Sequence, residues 1–200
     1  MSAQTRPTAG SVGRDLSADE RRTLLGVARE ALEAHFARRP PSLPPPTPAL
    51  AEKRGAFVTL HARANGDLRG CVGMMRSDQS LLATVARMAV AAATEDRRFE
   101  SVTIDELPAL QIEISALGPM RPIRPDQVEV GRHGLWISYT GRRGVLLPQV
   151  PVENGWDRET FLDHTCRKAG LPGGTWREEG VELLGFTATV FAEDAGVTTP

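Results

Sequence analysis

The feature that most constrains this fold is a predicted helix over residues 81–93 that is apolar on almost every side. Ser77 or Asp78 supplies its predicted N-cap. A helix at the surface of a globular protein shows an apolar stripe opposite a polar face. Because this helix has no polar face to offer to water, we expect it to lie at the centre of the fold, covered by other elements.

An amphipathic helix is predicted ahead of it. Ser17-x-x-Glu20 forms a capping box, and apolar residues from Leu24 to Phe36 follow at helical spacing. Six prolines among residues 40–48 then end this helix. A run of this kind is extended and does not form a central strand, so we expect a stiff internal connector, with a polyproline ligand for a partner as the alternative.

The remaining pattern is typical of short strands. Residues 57–60 and 68–72 flank the turn signal at residues 65–67, Asn-Gly-Asp, which predicts a hairpin. Residues 110–117 alternate apolar and polar side chains, as a half-buried strand does. We also expect strands and a helix at residues 135–139, 145–147, 157–169 (the helix) and 181–191. Since the strands meet mainly through hairpins, the predicted class is α+β, with a mixed, largely antiparallel sheet packed with helices.

The two ends of the chain predict tails around one domain. Residues 1–15 and 192–200 are small and polar, so we expect disorder there and a single domain over residues 16–191. The sequence shows no membrane-spanning stretch and no signal peptide, and its two cysteines do not suggest a disulfide scaffold. We therefore expect a cytoplasmic protein that does not act at a membrane.

Nucleic-acid binding is the weakest of the functional hypotheses. The net charge is −1 and aromatic residues make up only 5% of the chain, which leaves little electrostatic attraction or base-stacking surface. The hypothesis rests on Arg142, Arg143 and neighbouring arginines.

The candidate site is the run Leu-Arg-Gly-Cys-Val-Gly at residues 68–73. Cys71 is a candidate nucleophile or ligand, and the alternative is a small core residue, because cysteine is among the most buried types. Arg69, two residues away on a strand, would share a face with the thiol, lower its pKa and bind an anion. Gly70 and Gly73 indicate a bulge or a close approach. For His61 we favour a half-exposed strand residue, with a position facing Cys71 across the hairpin as the alternative.

Other polar residues are candidates to complete a cleft. Glu113 and Gln149 would present a carboxylate and an amide to a ligand or partner. Residues 96–99, Asp-Arg-Arg-Phe, are either a contact for an anion or a solvated helix end. Cys166 is predicted to be a core residue. No Cys-x-x-Cys, short-spaced histidine pair or nucleotide-binding loop occurs, so we expect neither a metal nor a cofactor.

Several of these motifs, in this order, resemble the AMMECR domain family. The run at residues 68–73 is similar to that family's hallmark Leu-Arg-Gly-Cys-Ile-Gly, and residues 96–99 are similar to its Asp-Pro-Arg-Phe, with Arg97 in place of proline. Residues 113–117 resemble its Ile-Glu-Ile-Ser-Val-Leu strand. The resemblance covers roughly residues 16–191 and continues through residues 131–135, 144–150, 155–157 and 161–171.

The resemblance implies an α+β fold with a larger and a smaller subdomain and a cleft between them. It implies that the hallmark is a functional site, which transfers to Arg69, Gly70, Cys71 and Gly73. It also implies a place in the bacterial AmmeMemoRadiSam system, beside a Memo-like protein and a radical-SAM protein, as its protein A. We therefore expect a component that presents a partner or substrate in that system, with an enzyme using Cys71 thiol chemistry as the alternative.

Overall fold

The computed structural model describes residues 16–194, and its strands form two separate sheets. The helices are α1 Ala18–Phe36, α2 Leu81–Thr94, α3 Gln149–Glu153 and α4 Arg158–Lys168. The strands are β1 Ala56–Ala62, β2 Leu68–Met74, β3 Leu110–Leu117, β4 Arg121–Pro122, β5 Gly134–Tyr139, β6 Arg142–Leu146, β7 Glu182–Phe186 and β8 Ala188–Ala192. The α+β class is confirmed, but two antiparallel sheets replace the single mixed sheet of the prediction.

The central position predicted for the apolar helix is confirmed. α2 packs against α1 on one side and against β1 and β2 on the other. Its cap is Ser80, whose hydroxyl accepts the Ala83 N–H at 3.2 Å, so the predicted cap at Ser77 or Asp78 was wrong. The Ser77 hydroxyl instead accepts hydrogen bonds from the backbone of Gln79 and from the Thr84 side chain. The helix begins at Leu81 as predicted, and only its cap differs.

The first sheet has the strand order β2-β1-β3-β8 and two unlike faces. Toward the helices, β1 and β3 present side chains with no exposed surface: Ala56, Val58, Leu60, Ile112, Ile114 and Ala116. This bears out the alternation predicted for β3. On the opposite face, Thr59, Cys71 and Glu113 are only half-buried. We call this second side of the sheet the open face.

The second sheet has the order β4-β7-β5-β6 and carries α4. Leu135 and Ile137 of β5 pack with Phe161, Leu162 and Cys166 of α4 in a core of their own. The first sheet, α1 and α2 share a larger core. Two cores of unequal size agree with the expected larger and smaller subdomains.

The strand predicted over residues 181–191 is divided between the two sheets. β7 ends at Phe186 and belongs to the second sheet, whereas β8 begins at Ala188 and belongs to the first. Between them, the Thr187 carbonyl accepts the Gly118 N–H at 2.7 Å, outside either sheet. The expectation of one continuous strand over residues 181–191 was therefore wrong, because the chain changes sheets at Thr187.

The proline-rich segment and the chain ends complete the fold. The prolines run without regular secondary structure from α1 toward Leu50, which is fully buried. The predicted N-terminal tail lies outside the described residues, as do residues 195–200. Structure continues past the predicted domain end at residue 191, because β8 includes Ala192 and the Glu193 carboxylate binds Arg29 and Arg63. Among residues 16–194, no helix is both long and apolar enough to cross a bilayer.

Candidate functional site

The hallmark run forms the edge strand β2, and Gly70 faces the helices. A Cβ at Gly70 would overlap the carbonyl of Ala92, near the end of α2. The Asn65-Gly66 turn that precedes β2 is confirmed, with Gly66 at a positive φ of 77°. A bulge follows it, since His61 pairs with Leu68 while Leu60 pairs with Gly70. Gly70 therefore lets the edge strand approach the helix closely.

Cys71 lies on the open face and is held by two hydrogen bonds. Its backbone N–H donates to the Asp96 carboxylate at 2.8 Å. Its Sγ accepts the Thr59 hydroxyl at 3.3 Å, because Thr59 is its partner in register on β1. His61 is a half-exposed residue of β1, as we favoured; it pairs with Leu68 and not with Cys71, and its Nδ1 lies 3.1 Å from the Gly66 carbonyl oxygen. The thiol is half-buried, so it is neither a core residue nor fully exposed.

Arg69 is committed to the segment that follows α2. Its guanidinium binds both carboxylate oxygens of Glu106, at 2.8 and 3.2 Å, and donates to the Glu100 carbonyl at 2.7 Å. The Arg69 hydrogen bond and the Thr103 N–H hold the pKa of Glu106 below its ordinary value. No hydrogen bond joins Arg69 to Cys71 within residues 16–194. Arg69 thus holds the edge strand against the segment that follows α2, a role that no sequence pattern indicated.

Asp96 is the residue that sequence reasoning undervalued. Its side chain is only 7% exposed, which does not fit a solvated helix end. It accepts the Cys71 N–H and both the backbone and the guanidinium of Arg98. The Arg98 guanidinium, with those two N–H groups, holds the pKa of Asp96 well below its usual value although burial opposes the shift. The pKa of Arg98 is raised in turn, mainly by Asp96 and to a smaller extent by Cys71.

The register places three candidate side chains in one row across the open face. Thr59 of β1 pairs with Cys71 on one side and with Glu113 of β3 on the other. Cys71 and Glu113 are therefore two strands apart, roughly 10 Å. The Glu113 carboxylate makes no hydrogen bond or ion pair with any residue in the described part of the chain. In the next row, Gly73 accommodates the Phe57 ring, which a Cβ at Gly73 would overlap.

Gln149 does not join this row. It begins the short helix α3 instead of ending a strand, and with Val152 and Val190 it lines a groove of about 230 Å³ beside β8. Because β8 and β2 are the two edges of the first sheet, the groove lies about 14 Å from Cys71. The structure brings together Cys71 and Glu113 and leaves Gln149 apart from them.

The other chemistry-bearing residues do not add to this site. Cys166 is a core residue of α4, as predicted, and burial raises the pKa of its thiol. The residues between 16 and 194 contain no group of three or more histidine, cysteine, aspartate or glutamate side chains placed to hold a metal ion.

Comparison with known proteins identifies the family of this fold and site. The AMMECR1 family profile matches residues 25–191, which include both sheets and all the candidate residues. The chain belongs to the AMMECR1 family. The AMMECR1 relatives include Protein MJ0810 of Methanocaldococcus jannaschii, which is 38% identical over 89% of this chain and 92% of its own length. A protein of Thermococcus gammatolerans is 42% identical over 86% of this chain and 89% of its own length.

A solved AMMECR1-like structure has the same fold. The crystal structure of the uncharacterized protein PH0010 from Pyrococcus horikoshii superposes with a TM-score of 0.74 at 38% sequence identity. The match covers 86% of this chain and 90% of that one. The two-sheet AMMECR1 architecture described above is therefore shared with that protein.

Proposed function

We propose that this AMMECR1 domain is a binding component of a Memo and radical-SAM modification system, and that it presents a partner or substrate on its open face. The Memo-like protein and the radical-SAM protein are the expected partners on the strength of the hallmark at residues 68–73. The proposal deepens the assignment to the AMMECR1 family, whose relatives named above carry no stated activity.

The single observation that carries the proposal is the uncommitted carboxylate of Glu113. The charged groups near Cys71 serve internal contacts, since Arg69 binds Glu106 and Asp96 binds Arg98. The Glu113 carboxylate is half-buried on the open face, in one row with Cys71, and has no hydrogen-bond or ion-pair partner within residues 16–194. A carboxylate that loses its water when a protein docks is costly unless it is paired. A cationic group on a docked protein would supply that pairing.

The test is co-purification of the tagged full-length chain with the Memo-like and radical-SAM proteins encoded in the same genome. Glu113→Lys reverses the charge on the open face and should weaken the complex at least about tenfold, a change of ~1.4 kcal/mol in binding free energy. Glu182→Lys is the matched control, because Glu182 is exposed on the second sheet. Arg69→Ala is a poorer probe, since it would release Glu106 and loosen the fold.

The outcomes separate cleanly. A complex that Glu113→Lys weakens and Glu182→Lys leaves intact supports the proposal. The proposal fails if neither protein binds, or if both reversals weaken binding equally. Circular dichroism of each variant establishes that it is folded before binding is measured.

An enzyme that uses the Cys71 thiol is the second candidate. One observation favours it: the half-buried thiol lies on the open face, and its Sγ accepts a hydrogen bond from the Thr59 hydroxyl at 3.3 Å, which fixes the position of a potential nucleophile.

Thiol alkylation tests this candidate on the folded protein. Iodoacetamide should modify Cys71 faster than free glutathione at pH 7, and Thr59→Val should slow the reaction. Cys166 is the internal control, because it is fully buried and should react only after unfolding. A Cys71 that reacts no faster than glutathione, with or without Thr59, would remove thiol catalysis.

A further inference from the structure

A cavity lies apart from Cys71, where the two sheets meet. Its volume is about 590 Å³, within the range of about 300–1,000 Å³ typical of small-molecule sites. It lies at the end of β2 and beside the segment that leaves β3 for the second sheet. Its described lining residues come from both segments and from the approach to β1: Glu52, Lys53, Arg54, Gly55, Met75, Arg76, Ser77, Gly118, Pro119 and Met120.

The charges at this cavity are predominantly positive. Lys53, Arg54 and Arg76 line it, with Glu52 as the one carboxylate among those residues. Glu52 lies 3.9 Å from Arg54, whose guanidinium also donates to the Leu117 carbonyl and is part of the fold. Lys53 and Arg76 form no ion pair with any residue in the described range. Two cations thus remain available at the mouth of the cavity.

Ser77 adds a hydroxyl group that can donate a hydrogen bond to an anion. A serine hydroxyl has two acceptor lone pairs and one proton. The Gln79 N–H donates to the Ser77 oxygen at 3.0 Å, and the Thr84 hydroxyl lies 2.8 Å from it. When Thr84 donates in this pair, the Ser77 proton is left for a ligand in the cavity that Ser77 lines. Ser77 therefore favours an acceptor, such as an oxygen of a phosphate or carboxylate.

The rest of the wall is apolar. Met75, Pro119 and Met120 line the cavity, and methionine adapts to irregular apolar shapes. The Arg76 guanidinium lies 5.6 Å from the centre of the Trp136 ring on β5. This cation–π contact directs Arg76 from the first sheet toward the second and fixes its position over the junction. The cavity thus combines a cationic rim with an apolar wall.

We infer that this cavity binds a small organic anion, with a phosphate or carboxylate held by Lys53, Arg76 and Ser77 and an apolar body packed against Met75 and Met120. A bidentate guanidinium and a lysine point charge are the usual protein partners of such groups. The site is distinct from the open-face row, because Met75 follows Cys71 by four strand residues, roughly 13 Å. It does not depend on the docking of a partner.

Four probes separate the parts of this inference. Phenyl phosphate and benzoate carry an apolar body with a phosphate or a carboxylate, inorganic phosphate lacks the body, and benzyl alcohol lacks the charge. Amide chemical shifts of the full-length protein are followed by NMR during each titration. Phenyl phosphate or benzoate should shift the amides of Gly55, Ser77 and Gly118 together. Whichever of these two binds more tightly identifies the preferred anionic group. Inorganic phosphate and benzyl alcohol should each bind at least about tenfold more weakly.

Matched charge variants decide whether the site is specific. Lys53→Gln combined with Arg76→Gln should weaken binding at least about tenfold. Lys168→Gln combined with Arg143→Gln removes the same charge from exposed positions outside the cavity and should leave binding unchanged. Ser77→Ala, which keeps both charges, should weaken binding severalfold. Shifts scattered over the surface, equal effects of the two double variants, or no saturable shift with either charged aromatic probe would each overturn the inference.

Discussion

On the covered face of the first sheet, Gly70 packs against the α2 backbone, whereas one residue later Cys71 presents its thiol to the open face. The two neighbouring positions have different surroundings: residue 70 has no room for a side chain, whereas the side chain of residue 71 lies on the open face. The same division separates Arg69, which binds Glu106, from Glu113 of β3, whose carboxylate has no partner among residues 16–194. Within one short motif, Arg69 and Gly70 hold the edge strand in place, whereas the Cys71 side chain lies on the open face.

Gly70→Ala should have the largest effect, because the added Cβ meets backbone that cannot move aside. We expect a loss of about 3 kcal/mol in the free energy of unfolding, measured by urea denaturation. The control is Gly26→Ala in the interior of α1, where no atom lies within 4 Å of the new Cβ. It should stabilise by about 0.5–1 kcal/mol, since alanine favours helix. Equal effects of the two substitutions would contradict the close approach at Gly70.

Asp96→Ala should have the next largest effect, because it removes the acceptor of the Cys71 N–H and the partner of Arg98. Loss of a hydrogen bond to a part-buried donor costs about 2 kcal/mol. Asp96→Asn keeps an acceptor of similar shape and removes only the charge, so it should cost less than alanine. Urea denaturation at pH 7 ranks the two variants, and a larger loss for Asn than for Ala would contradict this role.

The pH dependence of Asp96 follows from the direction of its pKa shift. Its pKa in the folded protein is lower than the ordinary value of 3.8. The carboxylate therefore stabilises the fold fully above that ordinary value, and the contribution is lost as the pH falls through the folded-state pKa. The stability gap between wild type and Asp96→Asn should be largest at neutral pH and should narrow below about pH 4. A gap that does not change between pH 7 and pH 3 would show that Asp96 is not ionised against Arg98.

Gly73→Ala tests the open face in the same way and should cost less than Gly70→Ala. Its new Cβ meets the Phe57 ring, a side chain that can rotate away, and the Ala56 carbonyl oxygen at 2.7 Å, which cannot, so we expect a loss of about 2 kcal/mol. Phe57→Ala in the same background should recover part of that loss, because the ring is one of the two obstacles. A double-mutant cycle from urea denaturation gives this coupling. No coupling would place the strain elsewhere on β2.

Local pattern sufficed for the elements but not for the pairing at the site. The capping box at Ser17, the alternation of β3 and the Asn65-Gly66 turn each follow from neighbours in sequence, and all three occur. The partner of Cys71 did not follow. Continuing the His61–Leu68 pairing one residue at a time would set Cys71 opposite Val58, and the bulge moves it to Thr59. Gly70 indicated a bulge or a close approach, and both occur there, but the sequence does not say how the bulge changes the partner of Cys71.

Two further differences have the same origin. The strand predicted over residues 181–191 was one apolar run, but the chain changes sheets at Thr187 because the two cores lie on either side of it. Asp96 looked like a polar helix end, yet it is buried because it satisfies the N–H of an edge strand distant in sequence. Both depend on contacts between residues far apart in the chain. The family resemblance identified the hallmark. Only the structure showed that Arg69 and Gly70 hold the edge strand in place while the Cys71 thiol lies on the open face.

Arg97→Pro should have the smallest effect and the opposite sign. Arg97 follows Asp96 in a turn closed by the Phe99 N–H and the Asp96 carbonyl at 3.1 Å. Proline is favoured at this second position of a turn, since its ring fixes φ near −65°. The Arg97 N–H donates to no partner within residues 16–194, so proline removes no hydrogen bond there. Fewer conformations in the unfolded chain should then stabilise the protein by about 0.5 kcal/mol in thermal or urea unfolding.

Arg97→Ala removes the same charge without fixing φ, and it should leave stability unchanged. If proline destabilises while alanine does not, the loop that fastens β2 through Asp96 requires a backbone shape at residue 97 that proline cannot adopt.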